Sequence, residues 1–518
     1  MCEDNLNLAS AQLGSRYSNA DYASDLKAII NLSEADILAA YNDGPKAAID
    51  LILLHRRIAL KSLLKVADLE ERIKELEGQK RKNSSNSSKP PSKDENRKPR
   101  STRVKSGKPS GGQKGHPGHT LKLSDNPDHV VVHPVTECSH CGKSLENVKS
   151  IDFELRQVVD LPPLNVEVTE HRAETKLCPY CSNPTKALFP EDVQAPVQYG
   201  PRLKAVSIYF NQYQLIPLDR LTEVFENVFN HDLSEGALIK ANSDFYELIE
   251  PVEAKIKEQL FESPVLHADE TGMRIEGKRK WCHVLSTKFL TYFAPHPKRG
   301  YEANVAMGVL PGYNGTLVHD SWASYYKFKC KHALCNGHHL RDLLFFCEEN
   351  QKWANEMSDL LLNIKAEKEI KQEIASQFEP HELKRFEEVY HHVLEIADLE
   401  NPPPEDVEYL PGQPKKRGRK KQSRSRNLID KLKSRQKEVL AFMYDFSVPF
   451  DNNLSERDIR MMKLQQKISG TFRTWDGSYI FCRIRSYIST VRKQSMSVIE
   501  AIQGAFEGNP FFPQQVVS

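Results

Sequence analysis

At 518 residues the chain has room for several domains and for a core that needs no covalent staples. Its 72 lysines and arginines against 70 aspartates and glutamates leave a formal net charge of +2, which excludes a uniformly basic or acidic protein but conceals local runs: cations crowd 80–114 and 415–426, and acids crowd 348–408. The absence of an apolar run near the roughly 18 residues of a membrane span, the lack of a basic-then-apolar leader, and ten cysteines spread through a long chain together predict a cytoplasmic protein without a disulfide framework.

Residues 1–45 carry little pattern. From 46 to 79 the pattern is helical, and Val66, Leu69, Ile73 and Leu76 fall at steps of three and four. That short heptad seam either pairs two protomers or packs on its own chain. Residues 83–93 are polar and broken by proline, as a linker that buries nothing must be. The linker runs on through Arg100 and Arg103 into Gly111-Gly112-Gln113-Lys114-Gly115-His116-Pro117-Gly118. Its glycines permit close backbone approach and its cations suit phosphate, so 80–125 is either a nucleic-acid contact or a solvated tether.

Next come two Cys-x-x-Cys units, Cys138-Ser139-His140-Cys141 and Cys178-Pro179-Tyr180-Cys181, bracketing β-like alternation such as Val166-Glu167-Val168. Four thiolates at this spacing can surround structural Zn²⁺ tetrahedrally and stabilise a small domain. Redox pairs are the competing account; the Gly142 and Pro179 beside the cysteines favour zinc. His133, His140 and His171 are substitute ligands or surface residues. A closed four-cysteine site has no open position, so the ion would organise rather than catalyse.

Residues 199–257 read as helical, with apolar positions at Leu203, Val206, Phe210 and, beyond Pro217, Leu221, Val224, Phe225 and Val228. A helix opening at 233–239 is either a helix-turn-helix reader or a packing helix. Two aspartates then close short apolar runs, Val265-Leu266-His267-Ala268-Asp269 and Thr316-Leu317-Val318-His319-Asp320, with strand-like 281–286 and 289–294 and a helical 301–308 between them. A further strand at 332–335 leads into a helix that sets His338, Arg341 and Asp342 on one turn, with Arg341 facing a DNA phosphate or serving the helix itself. Residues 353–399 form a charged helical insertion. Arg417 and Arg419 follow in Lys415-Lys416-Arg417-Gly418-Arg419, a minor-groove contact or a basic tether. Helical 428–446 precedes Asp451-Asn452-Asn453-Leu454-Ser455-Glu456-Arg457. Lys463 stands two turns beyond Glu456 on the same face, Arg457, Arg460 and Arg473 add positive charge, and Ile480, Ile484, Ile488 and Val491 mark a closing helix.

Aspartates at strand ends often only begin turns. Two strand-borne aspartates followed by a helix-borne glutamate also supply hard oxygen ligands for Mg²⁺ ions roughly 3.5–4 Å apart, the requirement of phosphoryl transfer. Their order with the strands fits an α/β, ribonuclease-H-like catalytic core with a helical insertion.

Taken together these motifs resemble the transposase of bacterial insertion-sequence 66 elements: the Asn-Ser-Ser-Lys-Pro-Pro-Ser linker at 86–92, Gly-Gly-Gln-x-Gly-His-Pro-Gly at 111–118, the two cysteine units, His-Ala-Asp-Glu-Thr from His267, His-Asp-x-Trp-x-x-Tyr from His319, and Asp-Asn-Asn-x-x-Glu-Arg-x-Ile-Arg from Asp451. The resemblance covers nearly everything from about residue 51 onward. It implies that Asp269, Asp320 and Glu456 are a catalytic triad holding Mg²⁺ or Mn²⁺ and that Cys138, Cys141, Cys178 and Cys181 hold Zn²⁺; the local charge and position of Arg100, Arg103, Arg341, Arg417, Arg419, Arg457, Arg460 and Lys463 make them the expected DNA contacts. The Tyr and Arg of a related signature are replaced by Pro449 and Asn452. Glu270 is a possible substitute for Asp269, although successive strand residues face opposite ways.

The expected organisation is an N-terminal helical region (1–79) with a zipper-like segment, a basic linker (80–125), a zinc-binding domain (126–190) and a helical DNA-binding or connecting region (195–260). The first part of the catalytic domain (261–350), a helical insertion with basic linker (351–427), the Glu456-bearing part (428–475) and a C-terminal helical region (476–518) follow. Expected partners are the terminal inverted repeats and target DNA, a second copy of the chain, and accessory proteins of the same element, at the bacterial nucleoid and with no membrane. The rival readings are a non-catalytic zinc-containing DNA-binding protein and a metal-dependent nuclease that cuts without joining.

Overall fold

A computed structural model describes residues 33–81, 121–403 and 422–514. The chain divides into two compact units, Met1–Lys98 and Pro99–Ser518.

In the first unit, α1 (Glu34–Asn42) packs on the long α2 (Pro45–Arg81). Val66, Leu69, Ile73 and Leu76 lie on α2 as the heptad spacing predicts, and all four are exposed, each by about half.

In the second unit, the described residues 121–200 form an extended segment whose named strands are the short antiparallel pair β1 (Thr175–Leu177) and β2 (Pro184–Lys186). Helices α3 (Pro201–Ile208), α4 (Leu218–Phe229), α5 (Glu235–Leu248) and α6 (Glu250–Glu262) follow. Pro217 caps α4, and the Ser234 hydroxyl accepts from the Ala237 N–H to cap α5. Leu238 and Phe245 of α5 are buried, which favours packing over groove reading for this helix.

The centre is a mixed five-stranded sheet of β3 (Val265–Ile275), β4 (Lys278–Ser286), β5 (Thr291–His296), β6 (Thr316–His319) and β7 (Lys331–Leu334), in the order β5-β4-β3-β6-β7. The first three strands pair antiparallel, and β3, β6 and β7 pair parallel. The connection from β5 to β6 carries α7 (Tyr301–Ala306). Beyond β7 come α8 (Asn336–Glu348), α9 (Lys352–Lys371), α10 (Pro380–Glu400), α11 (Arg424–Ser434), α12 (Gln436–Val439), α13 (Ala441–Tyr444), α14 (Asn453–Ser469), α15 (Trp475–Lys493) and α16 (Val498–Phe506).

Side-chain alternation along the strands sorts the core into two faces. Leu266 and Ala268 of β3, with Leu285 and Leu317, pack against α6, α15 and α16. On the other face Met273, Ile275 and Val284 meet Ile459 and Met462 of α14, while Val318 and Ala333 meet α8 to α13. In the segment expected as an insertion, Trp353, Met357, Leu361 and Tyr390 are fully buried, in one cluster with Val318 and Ala333 of the sheet. In the C-terminal helical stretch, Ile484, Ile488 and Val491 of α15 are buried against the sheet. Among the described residues, no helix is long and apolar enough to cross a membrane.

Candidate active site and metal centres

Strand register brings the two aspartates together. β3 and β6 pair as Val265↔Thr316, Leu266↔Leu317 and His267↔Val318; continued by two residues, the same register sets Asp269 beside Asp320 on one face. Asp269 does not close its strand, contrary to the expectation from the apolar run. β3 continues to Ile275 because its other edge stays hydrogen-bonded to β4, from His267↔Ser286 to Ile275↔Lys278. Asp269 therefore sits where β6 ends and one edge of β3 is freed.

Glu456 arrives in the first turn of α14, and Asn452 tethers that turn. Asn452 is 1% exposed. Its Nδ2 donates to the Ala268 carbonyl at 2.8 Å, its Oδ1 lies 2.8 Å from His267 Nδ1, and its backbone N–H donates to Cys335 Sγ at 3.2 Å. One residue thus joins the start of α14 to β3 and to the start of α8. Asp458, one turn on, accepts from Ser286 Oγ, Thr291 Oγ1 and Lys493 Nζ, fixing α14 to β4, β5 and α15.

The electrostatics record the convergence. Burial, then the neighbouring Glu270, Asp320 and Glu456, push the Asp269 carboxyl well above the usual carboxylate range. Burial also raises Glu456, with Arg341 and Arg460 pulling the other way. Burial holds the His267 imidazole below its ordinary value. Glu456 Oε1 is buried and accepts no hydrogen bond; Arg341 Nη2 stands 3.8 Å away and His338 Nδ1 3.9 Å away, both beyond hydrogen-bonding range. Converging carboxylates with an orphaned oxygen fit a hard divalent cation. The three carboxylates are not all within 4.8 Å of one another.

The remaining predicted residues fall into three groups. Glu270 points to the opposite face of the sheet, where Arg299 holds Oε1 at 2.7 Å and the Tyr325 hydroxyl donates to Oε2 at 2.5 Å. It is committed to that buried ion pair. Lys463 lies on α14 as predicted but donates to the Gly272 carbonyl at 2.7 Å, anchoring the helix to β3; burial holds its ammonium below the ordinary value. Arg341 faces Glu456 and also donates to the Gly337 carbonyl, while Arg457, Arg460 and Arg473 are exposed. Arg100, Arg103, Arg417 and Arg419 lie outside the described residues. Sequence reasoning did not single out Cys335 or Asn452 for the site, although Asn452 occupies the position where the related signature has a basic residue.

The two cysteine units fold into equivalent turns. Cys138 N–H donates to the Lys143 carbonyl and Gly142 N–H to the Cys138 carbonyl, both at 2.9 Å; Cys178 N–H donates to Asn183 at 3.0 Å and Ser182 N–H to Cys178 at 2.8 Å. Gly142 and Ser182 take matching left-handed conformations, φ 68° and 58°. Within each turn the backbone N–H groups two and three residues on, and then the second cysteine, lower the pKa of the first thiol, as a thiolate ligand requires. No three of the four knuckle sulfurs lie within 4.8 Å of one another. The local turns are set by neighbours in sequence, whereas nothing apolar draws the knuckles together, since Val158, Val159, Leu161 and Val168 remain exposed. His133, His140 and His171 are exposed.

A mixed α/β core with a carboxylate-lined strand end, preceded by paired cysteine turns, is the build of a transposase. The chain belongs to the transposase IS66 family, whose model matches residues 196–479, more than half of its length. The zinc-finger binding domain of transposase IS66 matches 136–182, a stretch that contains all four cysteines. Residues 46–122 match a family of unknown function, DUF6444. No curated protein matches the chain.

Proposed function

We propose that the chain is a metal-dependent DNA transposase that binds the terminal inverted repeats of its element, frees their 3′ ends and joins them to target DNA. The observation that supports this reading is the β3–β6 register, which continued by two residues pairs Asp269 with Asp320, together with the raised Asp269 carboxyl to which Asp320 and Glu456 contribute. The strand order β5-β4-β3-β6-β7, antiparallel on one side and parallel on the other, supports a ribonuclease-H-like core.

Asp269, Asp320 and Glu456 would hold Mg²⁺ or Mn²⁺, which supplies activation of the attacking oxygen and charge neutralisation of the leaving one. The chain's own groups prepare that site. Asn452 fixes the approach of α14, and the exposed Arg457 and Arg460 flank Glu456 where a phosphate would approach. One site serves both steps because cleavage and joining are each an in-line attack on a phosphodiester, first by water and then by the freed 3′ hydroxyl. Structural Zn²⁺ on the four knuckle cysteines would order the segment ahead of the core, and the exposed seam of α2 is suited to pairing two copies for synapsis of two DNA ends.

The test uses the full chain, Mg²⁺ or Mn²⁺, and labelled DNA from the flanks of its gene, comparing wild type with Asp320→Ala. End-specific nicking and joining by wild type alone is expected. Binding without cutting by both proteins, unrescued by the element's other proteins, would favour the DNA-binding reading. Cutting without joining would favour a nuclease.

A further inference from the structure

The first turn of α8 brings three unlike donors to one point. Cys335 is the residue that opens the helix and His338 lies three residues on, so both side chains leave the same side of that turn. Glu456 faces them from α14. Cys335 Sγ, a His338 ring nitrogen and a Glu456 oxygen all lie within 4.8 Å of one another, and this is the grouping of three such donors found among the described residues.

Two of the three are unsatisfied. His338 Nδ1 and Glu456 Oε1 are both buried and make no hydrogen bond, and the 3.9 Å between them is too long to be one. Sγ accepts the Asn452 N–H, a contact that metal-bound sulfur also makes. Bond lengths of about 2.0–2.3 Å to a tetrahedral ion put donors roughly 3.3–3.8 Å apart, a contraction that side-chain rotation supplies. The donor set of one sulfur, one imidazole and one carboxylate selects a borderline cation such as Zn²⁺ over Mg²⁺, whose ligands are all oxygen.

We propose that Cys335, His338 and Glu456 form a second metal site, distinct from the knuckle cysteines, that takes a borderline divalent cation with its fourth position open. Binding releases the Cys335 proton to solvent and leaves the thiolate on the ion. The Arg341 guanidinium, 3.8 Å from Glu456 Oε1, opposes occupancy, so Arg341→Gln tightens the site. Because Glu456 also belongs to the proposed carboxylate set, a cation held here draws it away from Mg²⁺ and inhibits. That consequence rests on the transposase reading; the site itself does not.

Co²⁺ is the probe, titrated into the metal-stripped full-length chain. Wild type is expected to show two classes of bound ion. One has a four-thiolate spectrum and is lost in Cys178→Ser. The other has a weaker single-thiolate charge-transfer band, is lost in Cys335→Ser and binds at least tenfold more weakly in His338→Gln. The proposal is overturned when Cys178→Ser removes every cobalt band, or when Cys335→Ser and His338→Gln, each with the tryptophan emission of the folded wild type, leave the weaker band intact. Where DNA cleavage is measurable, each protein is scored against its own zinc-free rate. The Zn²⁺ concentration that halves cleavage should rise at least tenfold in Cys335→Ser, and an unchanged value refutes the inhibitory role. A chain that cleaves no DNA still yields the cobalt result, so the two readings fail separately.

Discussion

Asn452→Ala tests whether one buried amide aligns the candidate site. The substitution removes the donor to the Ala268 carbonyl and the partner of His267 Nδ1, both at 2.8 Å and both inside the core. A net hydrogen bond is worth about 1 kcal/mol, and a buried group left without a partner costs about 1–3 kcal/mol. Stranding the Ala268 carbonyl and the His267 imidazole together should therefore destabilise the chain by about 2–5 kcal/mol. Glu456 stands one helical turn from the broken tether, and a misplacement of about 1 Å can cost on the order of 10²-fold in rate. Urea unfolding followed by tryptophan emission is a clean assay, because all four tryptophans, Trp281, Trp322, Trp353 and Trp475, lie in the Pro99–Ser518 unit and outside the knuckles. Metal-dependent nicking of labelled ends reports the second effect. Asn452→Asp, which keeps an acceptor for His267 but turns a carboxylate toward the Ala268 carbonyl, should be no more stable than the alanine variant. A change of less than about 0.5 kcal/mol in Asn452→Ala, the range of an ordinary surface substitution, with nicking intact would refute the tether.

The raised Asp269 carboxyl carries a signed prediction. Its folded pKa lies above its unfolded one, so the native state holds more protons between the two values, and stability falls as pH rises through that window. Without added Mg²⁺, Asp269→Asn should therefore be more stable than wild type at pH 7.5 in urea, with the gap closing as pH drops toward the ordinary carboxylate value of about 4, while metal-dependent cleavage is lost; a less stable variant at pH 7.5 contradicts the assignment. Asp458→Asn leaves the Lys493 ammonium on the Thr287 and Leu290 carbonyls without its 2.6 Å counter-charge, and should cost about 3–5 kcal/mol; Asp458→Asn with Lys493→Met should recover most of that, and additive losses would show that the pair is not coupled. Zinc chelation should raise amide hydrogen exchange across the knuckle segment and leave the sheet protected. Equal protection of Cys138 and Cys178 with and without the ion would show that the turns need no metal.

Much of this chain is legible without coordinates, and the legible part is local. The apolar runs at β3 and β6, the Pro217 and Ser234 caps, the heptad spacing of α2 and the shared turn geometry of the two Cys-x-x-Cys units all depend on residues a few positions apart, where sterics and hydrogen bonding act directly on neighbours. The family resemblance carried by separate motifs is of the same kind, and the family match bears it out. What only the tertiary structure decided is where distant segments meet. Asp269 is mid-strand because β4 continues to pair where β6 stops, a fact about partners that the run ending at Asp269 does not contain. Lys463 has the helical spacing to share a face with Glu456, and its ammonium donates to the carbonyl of Gly272 on β3. Charged helices between the second and third carboxylates read as an insertion, and the cluster in which Trp353 and Tyr390 meet Val318 of the sheet is visible only in three dimensions. Glu456 lies more than a hundred residues beyond Cys335 and His338, and it meets them because Asn452 locks the start of α14 to β3 and α8. Periodicity states which face of an element is apolar; which surface covers that face is settled by long-range packing.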